Sequence, residues 1–587
     1  MKSGTHSHGA LRQCMLRSGF GGAEIVKSEN RSGSFREPPE DSDCDYIIVG
    51  GGTAGCVAAW RLITETDARV VLLEMGDEYR SPYLKISPGY SRLVPKGIHC
   101  TIHRTVPQAN ADNRVLEIAT GCIIGGGSSV NAQVYMRGYR NDYDQWGVSA
   151  ASDLWSWEAL LPHFRRLEGN QKFNNEFHGG SGPLKVADPG FICEYSHLFV
   201  KAAQALGLPF TADFNMGAPS GAGYLQFTAR DGRRCSAADA FLNKVRPDAR
   251  LRVVTGAQVN RILFEHQRAM GIEYVHRGRR CTLRCAGEIL LAAGAFGSPK
   301  LLMLSGVGAE EHLRRFDIPV QVDLRGVGQN LQDHCGSPMV LGGNSRGYGY
   351  FRQDRGWRLA WNLLEYGLFR RGRLTTVGGE ATSFHVAGEA STEATVQIYC
   401  VPMIAYANTA ADSVPAVDGI KLHATLLRPQ ARGSVALRSA NPADPPLVDP
   451  NYLGDARDLR QLIEGLRIAR DIANSSPLRQ ALSGELLPGT DVQDDAAMAA
   501  YIRKTVRTDW HPVGTCRMGR SDDPMSVVSA TLEVLGIHGV RVIDASVMPN
   551  IVSANTNAPT MALADRGLSL MLAGAGAASA GGVQQPG

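Results

Sequence analysis

Three glycines, Gly50, Gly52 and Gly55, and a carboxylate, Glu74, are the residues whose types and spacing point most directly to chemistry. The first glycine permits a tight turn, the second lets the backbone approach a pyrophosphate, and the third lets a helix close against a strand. Thr53 and Ala54 fill the G-x-G-x-x-G frame, so the loop opens into a helix whose free N–H groups and dipole favour an anion. Glu74 lies 19 residues beyond Gly55, close to the roughly 20 expected for the acid that holds ribose hydroxyls. An acid there disfavours a 2′-phosphate. The pattern therefore reads as a site for FAD or NAD rather than NADP.

The elements that must position these residues are legible around them. Residues 45–49 (Asp-Tyr-Ile-Ile-Val) suit a buried parallel strand. Residues 56–64 carry Val57, Ala58, Trp60, Leu62 and Ile63 for a packed helix, and residues 69–73 form a second strand that ends at Glu74. Beyond this unit strand-like and helix-like segments alternate without an internal repeat, as an α/β fold requires. At 587 residues the chain exceeds a single core, so two interleaved domains are expected. Loops are expected near 176–190, 342–356 and 407–419. Residues 1–42 are polar, with no acid before Glu24, and read either as a disordered extension or as an organelle transit peptide. That leaves the compartment open, intracellular and either cytoplasmic or organellar. Residues 573–587, rich in Ala, Gly and Gln, read as a flexible tail.

Composition narrows the function. A net charge of +4 with mixed signs gives no footprint for nucleic acid. No apolar run approaches the roughly 20 residues of a membrane span. The twelve cysteines include no Cys-x-x-Cys pair, and neither a zinc site nor any other metal site is expected. They read as small buried hydrophobes in a reducing compartment.

Two further blocks separate FAD from NAD. The first runs from Gly121 through Gly125-Gly126-Gly127-Ser128-Ser129-Val130-Asn131 to Tyr135, Gly138 and Asp144; the second runs from Gly294-Ala295-Phe296-Gly297-Ser298-Pro299 to Gly308. Both resemble the signature patterns of the glucose–methanol–choline oxidoreductase family. So do residues 178–184, 326–334, 451–453, 509–515, 542–546 and 555–559, and the likeness covers roughly residues 43–572 in order. The resemblance implies a Rossmann-type FAD-binding domain assembled from 43–190, 235–335 and 508–572. It also implies an α+β substrate domain on an antiparallel sheet from 191–234 and 336–507. By the same likeness Gly125, Gly126, Ser128, Asn131 and Val134 line the flavin, and Val259 meets the adenine through its backbone. Ala293 and Gly294 end a strand beside the cofactor, Asp544 and Ala545 meet its pyrophosphate or flavin side, Trp510 flanks it, and Asn557 is either a structural or a flavin-side hydrogen-bonding group. Some relatives attach FAD through a His just before the Asn of the first block. Val130 stands there, so FAD is expected to be non-covalent.

The resemblance also assigns the chemistry. His511 occupies the family's catalytic position and would take the hydroxyl proton of an alcohol while hydride passes to flavin N5. Asn555 occupies the partner position, where its amide would steady the developing alkoxide. His334, in a family-typical motif, reads as structural. The electron acceptor is oxygen or a quinone. A choline-like cation would require aromatic faces and a carboxylate, for which Glu380, Tyr348 and Trp361 are candidates. Residues 428–439 (Arg-Pro-Gln onward) resemble the fatty acid photodecarboxylase branch, but Leu427 stands where that branch has cysteine, and His511 is retained. A hydroxynitrile lyase and a non-catalytic flavin-binding protein are the remaining rivals.

Overall fold

The structure, a computed structural model, describes residues 44–78, 81–344, 347–388, 391–404 and 417–581. The expectations for residues 1–42, and for most of the 407–419 loop, lie outside the described residues. Strand β1 (Cys44–Val49) pairs in parallel with β2 (Val70–Glu74), with Ile47 opposite Val71 and Ile48 opposite Leu72. Between them α1 (Thr53–Glu65) covers the sheet. Its first turns bury Ala54, Gly55, Cys56, Val57, Ala58 and Ala59, small side chains that let the helix lie close to the strands. It stops at Thr66, whose N–H and hydroxyl both bond to the Leu62 carbonyl.

The sheet is completed by β3 (Leu251–Thr255), β4 (Ala257–Glu265), β5 (Arg268–His276) and β6 (Arg279–Leu291), in the order β3-β2-β1-β6-β5-β4, with Val540–Val542 beside β6. β6 serves two ladders. Its first half runs antiparallel to β5, and its second half runs parallel to β1, where Ile47 faces Ile289. Ile47, Ile48, Leu72 and Leu290 are fully buried, each worth about 1.5–3 kcal/mol against exposure. Helix α2 (Gly294–Leu304) follows β6 at the same sheet edge.

A second sheet contains β7 (Cys335–Gly343), β8 (Ala381–His385), β9 (Val396–Val401), β10 (Gly419–Leu426) and β11 (Leu482–Leu487), in the order β11-β7-β10-β9-β8. Gly221–Tyr224 adds to β8, and the ladders are antiparallel apart from the short Phe210–Thr211 strand at the edge. The first sheet thus draws on 44–74, 251–291 and 540–542, and the second on 210–224 and 335–508. The described residues form one compact unit in which the two sheets sit. Helix α3 (Gly356–Phe369) lies at the surface of the second half, and α4 (Ala456–Asn474) buries Leu462, Leu466 and Ala469 against the second sheet.

The last helix, α5 (Asn557–Gly581), runs nine residues into the stretch expected to be a flexible tail. α5 packs on α1 although some 500 residues separate them. The buried Asp565 carboxylate accepts from Arg61 of α1 at 2.8 Å and contacts His163 at 2.5 Å. Asp565→Ala should therefore weaken folding by at least about 2 kcal/mol, because it unpairs His163 and removes one partner of a buried guanidinium. It should also lower cofactor retention; thermal melting and the flavin-to-protein absorbance ratio measure the two effects.

Candidate active site

The glycine turn has the geometry its spacing implies. Gly50 adopts φ +106°, and a Cβ there would sit 2.4 Å from the Ala292 carbonyl oxygen. A Cβ on Gly55 would fall 1.9 Å from the Gly50 carbonyl oxygen, so this glycine is required for α1 to close on the turn. Gly52 differs. Its φ of −76° is ordinary, and no atom of the chain lies within 3.8 Å of where its Cβ would be. A Cβ there would make only ordinary van der Waals contact, with the Ala292 carbonyl oxygen at 3.8 Å, so the protein's own packing does not require glycine at this position.

The second glycine loop closes over the first. The Gly125 N–H donates to the Gly51 carbonyl at 2.7 Å, and Gly126, at φ +52°, abuts the Gly52 Cα. Ser128 pins this loop from within, donating to the Gly125 carbonyl at 2.6 Å and accepting from Ala237 N–H. Asn131 accepts from the Gln133 N–H and from Arg234. Arg234 also holds the Ser128 and Asn131 carbonyls, a buried support that no spacing in the sequence announces. Val134 is buried in a two-residue pairing with Phe227.

The start of α1 has no side-chain cap and no acid in its first turn. The Thr53 hydroxyl donates to Asn557 Oδ1 at 3.1 Å and so joins the start of α5 to it. Asn557 Nδ2 is buried without a partner. The uncapped start of α1 and the orphaned Asn557 amide at the start of α5 make a donor set that fits a pyrophosphate, beside a glycine that the packing does not require. Ala54 contributes only its backbone there, its side chain being core.

Glu74 is turned inward. Its oxygens accept from the Gly51 and Gly76 N–H groups, each at 2.8 Å, and burial pushes its carboxyl up to about 7. Each oxygen retains a second lone pair for a ribose hydroxyl, but its first task is to tie the glycine turn to β2. Val259 lies on β4, the last strand of the sheet path. Asp544 is also committed within the protein. Its carboxylate accepts from Gly294 N–H and Ser298 Oγ at the start of α2, and from the N–H and Oγ of Ser546. It neutralises the α2 dipole, and with the Gly294 N–H taken by Asp544 and the Ala293 N–H taken by Ser298 Oγ at 3.2 Å, neither amide is offered to a ligand.

His511 and Asn555 meet, with Nε2 and Nδ2 3.2 Å apart. His511 Nδ1 contacts His334 Nδ1 at 2.9 Å, and His334 Nε2 lies 3.1 Å from the Leu427 carbonyl. This chain fixes the tautomers. A carbonyl only accepts, so His334 carries its proton on Nε2. Burial lowers His334 to about 3, so its ring is neutral and Nδ1 is a bare acceptor. His511 must then donate from Nδ1, and because burial lowers it to about 4 it is also neutral. Its Nε2 lone pair faces Asn555. Tyr399 donates to Asn555 Oδ1 at 3.2 Å, turning the amide N–H toward that lone pair.

Backbone strain holds His511 in place. Trp510 before it adopts φ +62°, rare for a bulky residue, and its N–H donates to Thr508 Oγ1. The His511 N–H donates to Asp333 Oδ1 at 2.7 Å, and Tyr452 and Thr508 donate to the other oxygen. Burial pushes Asp333 up to about 7 against these donors. Asp509 accepts from Thr425 and from His423 Nε2, whose pKa burial lowers; despite its own burial Asp509 is held below the usual carboxylate range by His423 and Thr425, and its charge partly offsets the desolvation of His511. His334, read as structural from its motif, thus touches the imidazole directly. Only its place in that motif signalled it.

Other candidates are not brought together. Glu380 is fully buried and accepts from Ser196 and Thr376 at 2.7 Å and from Tyr350, while Trp361 lies on the outer face of α3. Arg428 is bound by Asp142 and Glu393 and stacks over Tyr139, so its guanidinium is not free for a fatty-acid carboxylate.

Fold and site together define a Rossmann-type dinucleotide-binding enzyme. The N-terminal model of the GMC oxidoreductase family matches residues 44–336, and the C-terminal model matches 429–564. The chain is 37% identical to the alcohol dehydrogenase [acceptor] of Pseudomonas putida over 90% of this chain and 95% of that one. It is 34% identical to the mitochondrial choline dehydrogenase of Mus musculus, over 90% of this chain and 89% of that one. The crystal structure of pyridoxine 4-oxidase from Mesorbium loti superposes with TM-score 0.80 at 31% identity, covering 89% of this chain and 98% of that one. The chain belongs to the GMC oxidoreductase family, and its cofactor is FAD. Val130, buried and apolar, offers no atom for a covalent link.

The two glycines separate folding from binding. Gly55→Ala should lower the melting temperature of the cofactor-free protein sharply. Gly52→Ala should leave that temperature unchanged and reduce the FAD bound, read as flavin absorbance per protein.

Proposed function

We propose that this enzyme oxidises the CH–OH group of an uncharged alcohol with His511 as general base. The observation that carries the reading is the chain from the Leu427 carbonyl through His334 to His511, which leaves Nε2 bare and aimed at Asn555. An alcohol oxygen bridging the two would give its proton to Nε2 and accept from Asn555 Nδ2, so the alkoxide is steadied as it forms. FAD held by the glycine loops and the α1 start would supply the two-electron hydride acceptor, with oxygen or a quinone as the final acceptor. As His511 becomes cationic it keeps its Nδ1–H on His334, and the nearby Asp509 carboxylate offsets the new charge. An uncharged substrate is favoured because the Asp509 charge is matched to His511, and the Glu380 and Asp333 oxygens are turned to donors inside the protein. An alcohol panel that includes choline tests this last point: neutral alcohols should reduce the flavin faster than choline.

His511→Ala should slow anaerobic flavin reduction in the dark by at least about 10²-fold while FAD content stays intact. Normal reduction by that variant would remove His511 from the mechanism. The pH profile has a definite sign. A base whose folded pKa is lowered to about 4 is active above that value, so reduction should be flat from about pH 9 to 6 and fall only as pH approaches 4. His334→Phe removes the acceptor for His511 Nδ1–H and frees the other tautomer. It should slow reduction at least about 10-fold, a wrong tautomer being worth up to about 10⁴ in comparable histidine bases, with no change in FAD content.

A further inference from the structure

Helix α3 reverses the usual arrangement of a surface helix. Trp357, Trp361, Leu364 and Leu368 recur at i, i+4, i+7 and i+11 and form one stripe, and they are 75%, 60%, 51% and 65% exposed. The side facing the protein carries Asn362 and Tyr366, which bond to the carbonyls of Gln353 and Gly232, each at 3.1 Å. Polar groups hold this helix to the body while its apolar face points outward. Leu363 and Phe369 widen that face. Isolated exposed hydrophobics are ordinary, but a contiguous stripe with two tryptophans marks an interaction surface.

The charges around the stripe identify what it meets. Residues 352–371 hold five arginines, Arg352, Arg355, Arg358, Arg370 and Arg371, against two acids, Asp354 and Glu365. Asp354 is paired with Arg92 and Arg355, and Glu365 with Arg371. Arg358 and Arg371 lie over the rings of Trp357 and Phe369, their stems along the apolar face and their heads beside it. A second copy of this chain would bring like charges together. A bilayer with anionic headgroups complements both the stripe and its arginines. The helix cannot cross one: its 14 residues span about 21 Å, short of the roughly 30 Å hydrocarbon core.

We propose that the apolar face of α3 docks the enzyme on an anionic lipid surface, with the helix lying in the plane of the interface. The docking face is joined to the catalytic side of the second sheet by a short path. Residues 370–380 lead from α3 to Ala381, which pairs with Cys400, the neighbour of Tyr399 that holds Asn555. The surface reading stands apart from the identity of the base, since no residue of α3 touches His511 or Asn555 in the contacts described.

The test uses the FAD-loaded full chain floated with vesicles of phosphatidylcholine mixed with phosphatidylglycerol, and with phosphatidylcholine alone. The protein should float with the mixed vesicles, less so as salt is raised, with a blue shift of tryptophan fluorescence. Trp357→Ser/Trp361→Ser should reduce the vesicle-bound fraction at least about tenfold and leave melting temperature, FAD content and oxidation of a water-soluble alcohol unchanged. Val148→Ser, at an exposed apolar position on another helix, should leave floating intact. Failure of the wild-type protein to float, or equal floating by the double variant, would overturn the proposal. Equal binding to phosphatidylcholine alone would overturn the anionic-lipid assignment. Self-association lost in the double variant, without vesicle binding, would give the face to a second copy instead.

Discussion

A single backbone hydrogen bond, from the Gly125 N–H to the Gly51 carbonyl, joins the two loops on which the rest of the site is built. It forms only because no side chain intervenes: a Cβ on Gly126 would fall 2.7 Å from the Gly52 Cα. Around this contact β1, β2 and β6 run parallel and deliver their carboxyl ends to one edge of the sheet, where the α1 and α2 starts also lie. Asp565 then holds α5 against α1, which is why Asn557 reaches Thr53 across more than 500 residues. The anion site is a consequence of how closely the backbone can pack, with few charged side chains aimed into it.

The cluster of His334, His511 and Asn555 follows from the opposite circumstance, the burial of polar groups. Removing water from His334 and His511 makes both neutral, and neutrality makes each nitrogen either a donor or an acceptor. The Leu427 carbonyl at one end therefore sets the lone pair at the other. Asp333 and Asp509 lie behind the imidazoles, one holding the backbone and the other supplying field. A low dielectric strengthens these interactions, and it would penalise an unpartnered member equally.

Helix α3 is the part of the chain where local patterning and burial disagree. Elsewhere apolar periodicity marks the buried face, as in α4. Such disagreement concentrates where a surface serves something beyond the fold. Glu380 shows a milder version: its type and position fit a cation site, yet three hydroxyl donors consume it inside the protein.

Local sequence determined the βαβ unit, the glycine turn and the sheet-ending Glu74, because spacing along one strand and one helix already dictates their geometry. The resemblance carried by residues 509–515 and 555–559 located His511 and Asn555. Tertiary structure alone decided that Glu74 and Asp544 spend their oxygens on donors within the protein, that Arg234 underpins the second loop, and that His334 touches His511. Each of these is a contact between residues distant in the chain or a choice of side-chain partner. Spacing specifies periodicity within an element, whereas the partner of a carboxylate or an imidazole depends on which elements the packed core brings within about 3 Å.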